Sequence, residues 1–288
     1  MNFYMNRSKE DVILIVDSGA TKADWCLVRG KEIYHRFKSK GITPVFQSKE
    51  EIEHEIRVNI FPLLKEASIK AIYFYGSGCI PENAPIVKDA LYASFSIETI
   101  EVYSDMIAAA HALCGNQAGI ACILGTGSNS CEWDGTRIIK QVSPLGFILG
   151  DEGSGASLGK QLISDALKGL LTKGLKEALL QEYQLTPALV VDKVYRQQFP
   201  SRFLASLSPF ILKHITDPSI SRLVHQSFSD FFERNVMQYD FKNYNVNFMG
   251  SIAWNYSSIL NEVSLQKGIK IGNIIKSPME GLINYYNS

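Results

Sequence analysis

Two stretches of the chain, one in each half, repeat the same order of apolar and polar positions. Each consists of an apolar segment, a turn rich in glycine and hydroxyl residues, a second segment, a glycine turn and a third segment. In the first half these parts occupy 12–16, 17–22, 24–28, 29–30 and 31–37, and in the second half 120–124, 125–128, 129–133, 134–135 and 137–142. Short apolar runs separated by glycine turns are typical of β-strands in hairpins. The pattern therefore predicts a hairpin-linked group of strands in each half.

The longer polar turn of each stretch is a candidate for ligand binding. The two turns are Asp17-Ser18-Gly19-Ala20-Thr21-Lys22 and Gly125-Thr126-Gly127-Ser128. Because glycine lacks a Cβ, its backbone N–H group can approach an anionic ligand closely. An ordinary hairpin explains either turn alone, but the repeat at matching places suggests two lobes that face one ligand. A phosphate chain held from both sides is the natural candidate.

The remaining hydrophobic pattern predicts helices and strands around these stretches. Helices are expected at 50–67, 85–95, 106–115, 155–171, 200–214, 217–239 and 252–266, with a terminal helix from Ser277-Pro278 to Tyr285. Further strands are expected at 71–75, 97–103, 246–249 and 270–275. Apolar residues at helical spacing favour the helices, and short buried runs ending in small residues favour the strands. This order predicts an α/β protein that is mostly helical between 172 and 240.

Composition and charge restrict the class of protein without identifying it. The 288 residues are 46% apolar and 20% charged, with 29 basic and 29 acidic side chains. This balance gives no electrostatic reason to expect nucleic acid or an anionic membrane as partner. No apolar run approaches the length of a membrane span, and the run after Arg7 and Lys9 is too short for a signal peptide. The 5 cysteines, never spaced CxxC, indicate reduced thiols in a cytoplasmic protein.

Four further segments place small or acidic residues where a strand is expected to meet a loop or helix. They are Gly76-Ser77-Gly78-Cys79, Ser104-Asp105, the run from Gly150 to Gly155, and Gly250-Ser251. Ser104 or Asp105 could simply cap the alanine-rich helix that follows. An acid at a strand end could instead accept a proton from a substrate hydroxyl. The residues alone leave both alternatives open.

Two matches to catalytic motifs fail on spacing and context. Gly153 to Lys160 is one residue too long for a P-loop, and Gln161 stands where that motif requires Ser or Thr. The segment from Gly155 to Gly159 fits GxSxG, the nucleophile elbow of α/β-hydrolases. That elbow requires a strand leading directly into it, whereas a glycine-rich loop precedes this segment. A hydrolase is therefore not expected.

The order of the motifs resembles the actin-like sugar kinase superfamily. The chain has DSGATK at 17–22, SD before a helix at 104–105, LGTGSN at 124–129, GDEGSG at 150–155 and MGS at 249–251. Within the superfamily it is similar to the BadF/BadG/BcrA/BcrD ATPases, which include the N-acetylglucosamine kinases, over nearly its full length. The resemblance implies an α/β fold of two ribonuclease H-like lobes, each of βββαβα type, with ATP in the cleft between them.

The expected domains follow from this resemblance. The N-terminal actin-like lobe would span 1–115, and the C-terminal helix at 277–288 could pack back on it. The C-terminal lobe would span 116–276 and carry a helical insertion at about 155–240.

The resemblance also implies roles for individual residues. Asp17, Ser18, Gly19, Thr21 and Lys22 would form the first phosphate loop, with Asp17 holding Mg²⁺ through water. Gly125, Thr126, Gly127 and Ser128 would form the second, and Gly250 with Ser251 would contact the adenosine. Asp105 matches the family's catalytic base. The implied cofactors are ATP and Mg²⁺.

The implied reaction is phosphorylation of a sugar hydroxyl, with the 6-hydroxyl of an amino sugar such as N-acetylglucosamine as the expected acceptor. Sugar contacts are expected from Asp105, Thr43, Gly78, Asn129, Leu145, Gly146 and Asp151. N-acetylglucosamine kinases tend to have Trp-Gly shortly before GDEG and often an Asn in the loop after the third strand. This chain has Leu145-Gly146 and Thr43-Pro44 at those places. The identity of the sugar is therefore left open.

Two alternatives share the same fold. ATPase activators of 2-hydroxyacyl-CoA dehydratases and benzoyl-CoA reductases couple ATP hydrolysis to electron transfer through a cysteine-held iron–sulfur cluster, and this chain has no close cysteine pair. A non-catalytic sugar-binding relative would not need Asp105 and both polar turns. We expect a cytoplasmic phosphotransferase that acts on a small sugar, without nucleic-acid or membrane partners. Oligomeric state is left open, with a homodimer as one option.

Overall fold

The chain divides into two units, Met1–Gly115 with Pro278–Ser288 and Asn116–Ser277. The structure is a computed structural model that describes residues 11–64 and 68–287. Arg7 and Lys9, which entered the signal-peptide prediction, and the expected end of the first helix at 65–67 lie outside the described residues.

The first unit is built on a mixed five-stranded sheet. Its strands are β1 (Val12–Ser18), β2 (Lys22–Arg29), β3 (Glu32–Lys40), β4 (Ile69–Gly76) and β5 (Thr99–Ser104), in the order β3-β2-β1-β4-β5. Hairpins join β1, β2 and β3, whereas β4 lies parallel to β1 and β5 parallel to β4. Parallel neighbours need crossover connections, and helices provide them here. The predicted βββαβα arrangement is therefore confirmed.

Helices cover both faces of this sheet. They are α1 (Lys49–Glu55), α2 (Phe61–Leu64), α3 (Ala84–Phe95) and α4 (Asp105–Cys114), together with the C-terminal helix (Met279–Tyr285). A π-helical turn (Ile56–Ile60) joins α1 to α2. Ser48 caps α1: its hydroxyl accepts a hydrogen bond from the Glu51 N–H (3.2 Å), and the Glu51 carboxylate accepts one from the Ser48 N–H (2.8 Å). This reciprocal pair fixes where the helix begins.

Alternate residues of β1 build two separate cores. Leu14 and Val16 pack with Trp25 on the side of α1 and α3. Ile13 and Ile15 pack on the side of α4 and the C-terminal helix. A central strand buried on both faces needs apolar residues at every position, and this explains the unbroken run at 12–16.

The second unit repeats the topology of the first. Its strands are β6 (Gly119–Leu124), β7 (Ser128–Trp133), β8 (Ile138–Val142), β9 (Val246–Met249) and β10 (Ile271–Ile275), in the order β10-β9-β6-β7-β8. β6, β7 and β8 pair antiparallel, β9 lies parallel to β6, and β10 lies parallel to β9. With β6 in the place of β1, this is the strand order of the first sheet. The predicted repeat is therefore present at the level of whole sheets.

Most helices of the second unit lie between its third and fourth strands. They are α5 (Gly146–Leu149), α6 (Gly155–Lys168), α7 (Leu175–Glu182), α8 (Pro187–Tyr195), α9 (Pro200–Ala205), α10 (Ser208–Lys213) and α11 (Pro218–Arg234), and α12 (Ser251–Asn255) and α13 (Ser257–Gln266) follow β9. Two predicted helices are each broken into two. Pro209, in the first turn of α10, separates that helix from α9, because proline clashes with a preceding helical turn. Tyr256 separates α12 from α13.

The state of the cysteines and the character of the helices can be compared with the predictions of reduced thiols and of no membrane span. The described residues include all five cysteines and contain no disulfide, and each cysteine is buried except Cys114, which is half-buried. In the part of the chain that the structure describes, no helix combines the length and apolar character that crossing a bilayer requires.

The GxSxG segment lies inside α6 and serves helix packing. A Cβ on Gly155 would lie 3.1 Å from the Ala205 Cβ, and a Cβ on Gly159 would lie 1.9 Å from the Leu204 carbonyl oxygen. A nucleophile elbow needs a strand-to-helix turn at its serine, but Ser157 lies within a helix. The two glycines instead allow α6 to approach α9 closely.

Gly159→Ala is expected to destabilise the protein by about 1–3 kcal/mol, because a methyl group against the Leu204 backbone overpacks the contact between α6 and α9. The free energy of unfolding, measured by urea denaturation, tests this. Lys168→Ala, at an exposed position of the same helix, is the matched control and should change stability little. Equal stability of Gly159→Ala and the wild type would contradict the packing role.

Candidate active site

The parallel strands of the first unit end together at one edge of its sheet. Ser18 of β1 is in register with Gly76 of β4, and Gly76 is in register with Ser104 of β5. Asp17, one residue before the end of β1, and Asp105, the first residue of α4, therefore lie at the same edge. Ligands of open α/β sheets bind at the carboxyl ends of strands. This edge and the polar turn after β1 form the candidate site of the first unit.

The first polar turn is supported by the loop after β3. The Gly19 N–H donates to the Lys22 carbonyl (3.0 Å) and closes the turn. Gly41 packs so closely that a Cβ there would lie 2.1 Å from the Gly19 carbonyl oxygen. The buried Ser18 hydroxyl donates to the Ile42 carbonyl (2.9 Å) and accepts from the Ile42 N–H (2.8 Å). Ser18 therefore anchors the turn through its side chain, while Gly19 and Lys22 are exposed.

Asp17 lies among other acidic groups. It is directly opposite Asp24 in the antiparallel register of β1 and β2. Burial raises the pKa of Asp17 from 3.8 to about 7, with further contributions from the charges of Asp24 and Asp105 and a smaller opposing effect of Arg36. A carboxyl group with this pKa is only partly ionised at neutral pH unless a cation lies close to it. The environment of Asp17 therefore favours either a proton or a bound cation.

Asp105 lies where a strand end meets a helix N-terminus. Ser104 is the N-cap of α4, because its hydroxyl accepts a hydrogen bond from the Ile107 N–H (3.4 Å). Burial raises the pKa of Asp105 above 3.8, although hydrogen bonds from the Met106 N–H and the Ser77 hydroxyl oppose this shift. Half-buried carboxyl groups with a raised pKa are typical of sites that exchange protons. Of the two residues that could have capped α4, Ser104 is thus the one that does so.

Thr43 and Gly78 lie beside this edge. Thr43 is buried, and its hydroxyl donates to the Ser77 carbonyl (3.1 Å). The Thr43 N–H donates to the Gln47 side chain (2.7 Å). Gly78 has a φ of 78°, and a Cβ there would lie 2.4 Å from Val45 Cγ2. Thr43 therefore links the loop after β3 to the loop after β4.

The second polar turn is held by the N-terminus of α6. The Gly125 N–H donates to the Gly127 carbonyl (2.9 Å), the counterpart of the bond that closes the first turn. The carbonyl groups of Gly125 and Thr126 accept hydrogen bonds from the N–H groups of Gly155 (2.8 Å) and Ala156 (3.0 Å). These bonds satisfy amides that a helix N-terminus otherwise leaves without an intrahelical partner.

Asp151 is bound to the same turn. Its Oδ1 accepts a hydrogen bond from the Ser128 N–H (3.1 Å). Both carboxylate oxygens lie against Gly127, where a Cβ would come within 3.1 and 3.2 Å of them. The residue is buried and has a φ of 58°. Burial raises the pKa of Asp151, while the hydrogen bond from Ser128 opposes the shift. Asp151 therefore connects the GDEG loop to the second polar turn.

Gly250 occupies in the second unit the place that Gly76 has in the first. It follows β9 with a φ of 123°, and a Cβ there would lie 2.2 Å from the Leu124 carbonyl oxygen at the end of β6. At the equivalent point of the first unit, the Ser77 N–H donates to the Ser18 carbonyl (2.9 Å). The glycine of the second unit thus allows close contact with β6, whereas a Cβ on Gly76 would instead lie 2.7 Å from Cys79 Sγ and from the Phe74 ring.

The other residues expected at the site lie nearer the surface of their units. Leu145 is 60% exposed and has a φ of 59°, and Gly146 has a φ of 73°. The Asn129 Oδ1 accepts hydrogen bonds from the Ser130 N–H (2.9 Å) and the Gln141 side-chain amide (3.0 Å). Thr21 and Ser251 are exposed.

The sequence did not assign roles to Asp24, Arg36 and Gly41. Arg36 donates two hydrogen bonds to the Asp24 carboxylate, from Nε (3.0 Å) and Nη2 (2.7 Å). An acidic residue inside an otherwise apolar strand is a signal that could have identified Asp24. Its partnership with Arg36 depends on the register of β3, which the residues alone do not fix.

No protein-family model and no curated protein matches the chain. A solved structure from Porphyromonas gingivalis, provisionally named an N-acetylglucosamine kinase, is 48% identical, with a TM-score of 0.93 and coverage of 96% of this chain and 98% of that one. A protein of the same provisional name from Chromobacterium violaceum is 18% identical (TM-score 0.73, coverage 96% and 99%). A ROK family glucokinase from Streptomyces griseus, in complex with glucose and AMPPNP, is 14% identical (TM-score 0.55, coverage 95% and 97%).

Each unit has the βββαβα topology of a lobe of the actin-like ATPases, and the more distant matches support this fold. The identity of 48% over nearly the whole of both chains is more specific. The chain belongs to the N-acetylglucosamine kinase-like family of the BadF/BadG/BcrA/BcrD ATPase group. The family predicted from the order of the motifs is confirmed.

Asp17→Asn is expected to stabilise the ligand-free protein above about pH 7, by about 1–3 kcal/mol after allowance for solvent screening. The folded protein binds the Asp17 proton more tightly than the unfolded chain does, since the pKa is about 7 rather than 3.8. The wild type therefore loses stability as pH rises through this range, and the variant does not.

Thermal unfolding measured at several pH values tests this prediction. The gain in stability should vanish at acidic pH, below the unfolded-state pKa of 3.8. Asp89→Asn, an exposed acid on α3, is the control. A stability difference that does not depend on pH would contradict the assigned environment of Asp17.

Proposed function

We propose that the protein is an ATP-dependent sugar kinase that phosphorylates an amino sugar such as N-acetylglucosamine, with the 6-hydroxyl as acceptor. It would thus be a phosphotransferase with an alcohol group as acceptor. The observation that carries the proposal is the position of Asp105, whose raised pKa and place beside Asp17 and the first polar turn suit a base in phosphoryl transfer. The provisional name of the relative from P. gingivalis supports the same substrate class.

Each of the two polar turns, taken by itself, has features that suit the binding of phosphate. A Cβ would meet no atom closer than 3.7 Å at Gly19 or 4.0 Å at Gly125. Packing within the protein therefore does not require glycine at either place, whereas close approach of a phosphate to the backbone does. The proposed phosphate-binding residues are Ser18, Gly19, Thr21 and Lys22 in the first turn and Gly125, Thr126, Gly127 and Ser128 in the second. Gly250 and Ser251 are the proposed adenosine contacts.

The charges around Asp17 fit a divalent cation. A cation near Asp17 would stabilise its ionised form, which burial and neighbouring acids disfavour. Among the described residues no group of three or more His, Cys, Asp or Glu side chains could hold a metal ion. Mg²⁺ would therefore be held mainly by phosphate oxygens, with Asp17 acting through water. When bound, Mg-ATP supplies the phosphoryl group and the metal charge that stabilises its transfer.

Asp105 would act as the base toward the sugar hydroxyl. The Ser77 hydroxyl and the Met106 N–H lie near its carboxyl group and favour the ionised form, which lowers the pKa that burial raises. In this position it would accept the hydroxyl proton while the oxygen attacks the γ-phosphorus of ATP and the bond from that phosphorus to the bridging oxygen breaks, releasing ADP. Its raised pKa makes it a better proton acceptor than an exposed aspartate. The backbone N–H groups of the polar turns would stabilise the charge that spreads over the phosphoryl oxygens.

The sugar-binding residues remain a proposal. They are Gly78, Thr43, Asn129, Leu145, Gly146 and Asp151, in addition to Asp105. Because the Thr43 hydroxyl donates to the Ser77 carbonyl, Thr43 would act by shaping the loop. The Asp151 carboxylate binds the Ser128 N–H through one oxygen, which leaves acceptor capacity for a sugar hydroxyl.

The cellular setting is likewise proposed. The burial of four of the five cysteines supports a kinase over an activator with an exposed cysteine-held cluster. A cytoplasmic enzyme with a small sugar substrate and no nucleic-acid or membrane partner agrees with the balanced charge. Assembly as a homodimer is an option that size-exclusion chromatography can decide.

Asp105→Asn is expected to lower kcat by about 10²–10⁴-fold, because asparagine cannot take the hydroxyl proton. Binding of Mg-ATP, measured by calorimetry, should change little. Asp89→Asn is the control for loss of a carboxylate elsewhere in the same unit. Near-normal turnover in Asp105→Asn would remove this residue from its proposed role.

A coupled ADP-release assay tests the function itself. The assay compares glucosamine, N-acetylglucosamine, N-acetylmuramic acid, N-acetylmannosamine and glucose, and ³¹P NMR identifies the phosphorylated position. We expect the highest kcat/KM with an N-acetylated amino sugar and a phosphate ester at the 6-position. ADP release that no sugar stimulates would contradict a sugar kinase and favour the activator alternative.

A further inference from the structure

Two carboxylates face each other at the first polar turn. Asp17 and Asp24 are directly paired in the antiparallel register of β1 and β2, on either side of the turn. Directly opposed side chains of an antiparallel pair project from the same face of the sheet, and like charges in such a pair are destabilising. Asp105 adds a third negative group within electrostatic reach. A phosphate chain bound here would therefore meet several negative charges.

The side chain of Arg36 is positioned to neutralise one of these negative charges, that of Asp24. Asp24 is in register with Lys38, and Cys26 is in register with Arg36, so Arg36 is the diagonal neighbour of Asp24 on the same face. Its guanidinium group binds both carboxylate oxygens, from Nε at 3.0 Å and Nη2 at 2.7 Å. This fork geometry is the strong form of an ion pair. On the C-terminal helix, Glu280 is a second acid within electrostatic reach of Arg36.

The contribution of this pair to stability is expected to be small. The side chain of Arg36 is 36% exposed and that of Asp24 is 16% exposed, and pairs with such solvent access contribute little to folding. The position of the pair in the site indicates its role better than its stability does. Asp24 lies two residues after Lys22, whose carbonyl closes the first polar turn by accepting a hydrogen bond from the Gly19 N–H. Neutralising Asp24 therefore changes the potential at the turn more than it changes the fold.

We propose that Arg36 is a positioning residue for nucleotide binding: by holding and neutralising Asp24, it lets the first polar turn accept a polyphosphate. The inference rests on the proposed function of that turn. Arg36 acts through Asp24 and need not touch the phosphate. Its effect should therefore depend on the presence of the Asp24 carboxylate.

A double-mutant cycle tests this dependence. The variants are Arg36→Gln, Asp24→Asn and the double variant, with calorimetric Kd for a magnesium complex of a non-hydrolysable ATP analogue and kcat from ADP release. Arg36→Gln should weaken binding by about ten- to a hundredfold, because it leaves Asp24 unpaired beside the phosphate. Asp24→Asn and the double variant should both bind within about threefold of the wild type, or more tightly. Turnover at saturating nucleotide should change much less than Kd.

Two controls distinguish an effect of the Arg36 charge on nucleotide binding from an effect of the substitution on folding. Arg57→Gln removes another arginine from an ion pair with a glutamate of the same unit, Glu53 (2.8 Å), and should not affect nucleotide binding. Thermal unfolding checks each variant. If Arg36→Gln does not fold, the comparison of Asp24→Asn with the double variant still decides, because Arg36 should not matter once the Asp24 charge is gone.

Four results would overturn the inference. Equal weakening in Arg36→Gln and the double variant, with Asp24→Asn unaffected, would mean that Arg36 binds phosphate itself. Weakening in Asp24→Asn comparable to that in Arg36→Gln would make Asp24 a direct participant, for example through the metal. A wild type that binds no nucleotide would overturn the proposed function as well, whereas a wild type that binds nucleotide and an Arg36→Gln variant that binds equally well would overturn only this inference.

Discussion

The site depends on a hairpin whose first strand is the centre of a sheet. In each unit that strand has an antiparallel partner on one side and a parallel strand on the other. The polar turn of the hairpin therefore lies at the edge where the parallel strands also end. The contacts that support the polar turn differ between the units. Gly41 packs on the first turn, whereas the Gly155 N–H at the start of α6 donates a hydrogen bond to the second. The two polar turns are thus supported by two different sets of contacts.

Charge is the second constraint, and it acts in the first unit. The burial of Asp17 near Asp24 and Asp105 raises its pKa to about 7, an arrangement that is unfavourable for the ligand-free protein at neutral pH. Such arrangements are typical of functional sites, where a ligand or cation completes the electrostatics. Arg36 offsets part of the negative charge through Asp24. The cost in stability and the proposed affinity for a magnesium nucleotide would therefore have the same physical source.

The residues predicted the repeated turns and the family because those features are local. Glycine and hydroxyl residues between apolar runs mark a hairpin wherever it occurs, and the order of the motifs is visible without any structure. Contacts that depend on register were not predictable, as the pair of Asp24 and Arg36 demonstrates, because that pair requires the alignment of β2 with β3. The hydrogen bond from the Thr43 hydroxyl to the Ser77 carbonyl was not predictable either, because the two residues are far apart in the chain.

The most direct test is calorimetric titration of Gly19→Ala and Gly125→Ala with a non-hydrolysable ATP analogue and Mg²⁺. At both positions the protein has room for a Cβ, so each variant should fold with a melting temperature close to that of the wild type. The wild type should bind one nucleotide per chain, and each substitution alone should weaken that binding by at least about tenfold because the methyl group blocks the approach of phosphate. Binding equal to that of the wild type in either variant would contradict the proposed phosphate-binding role of that turn.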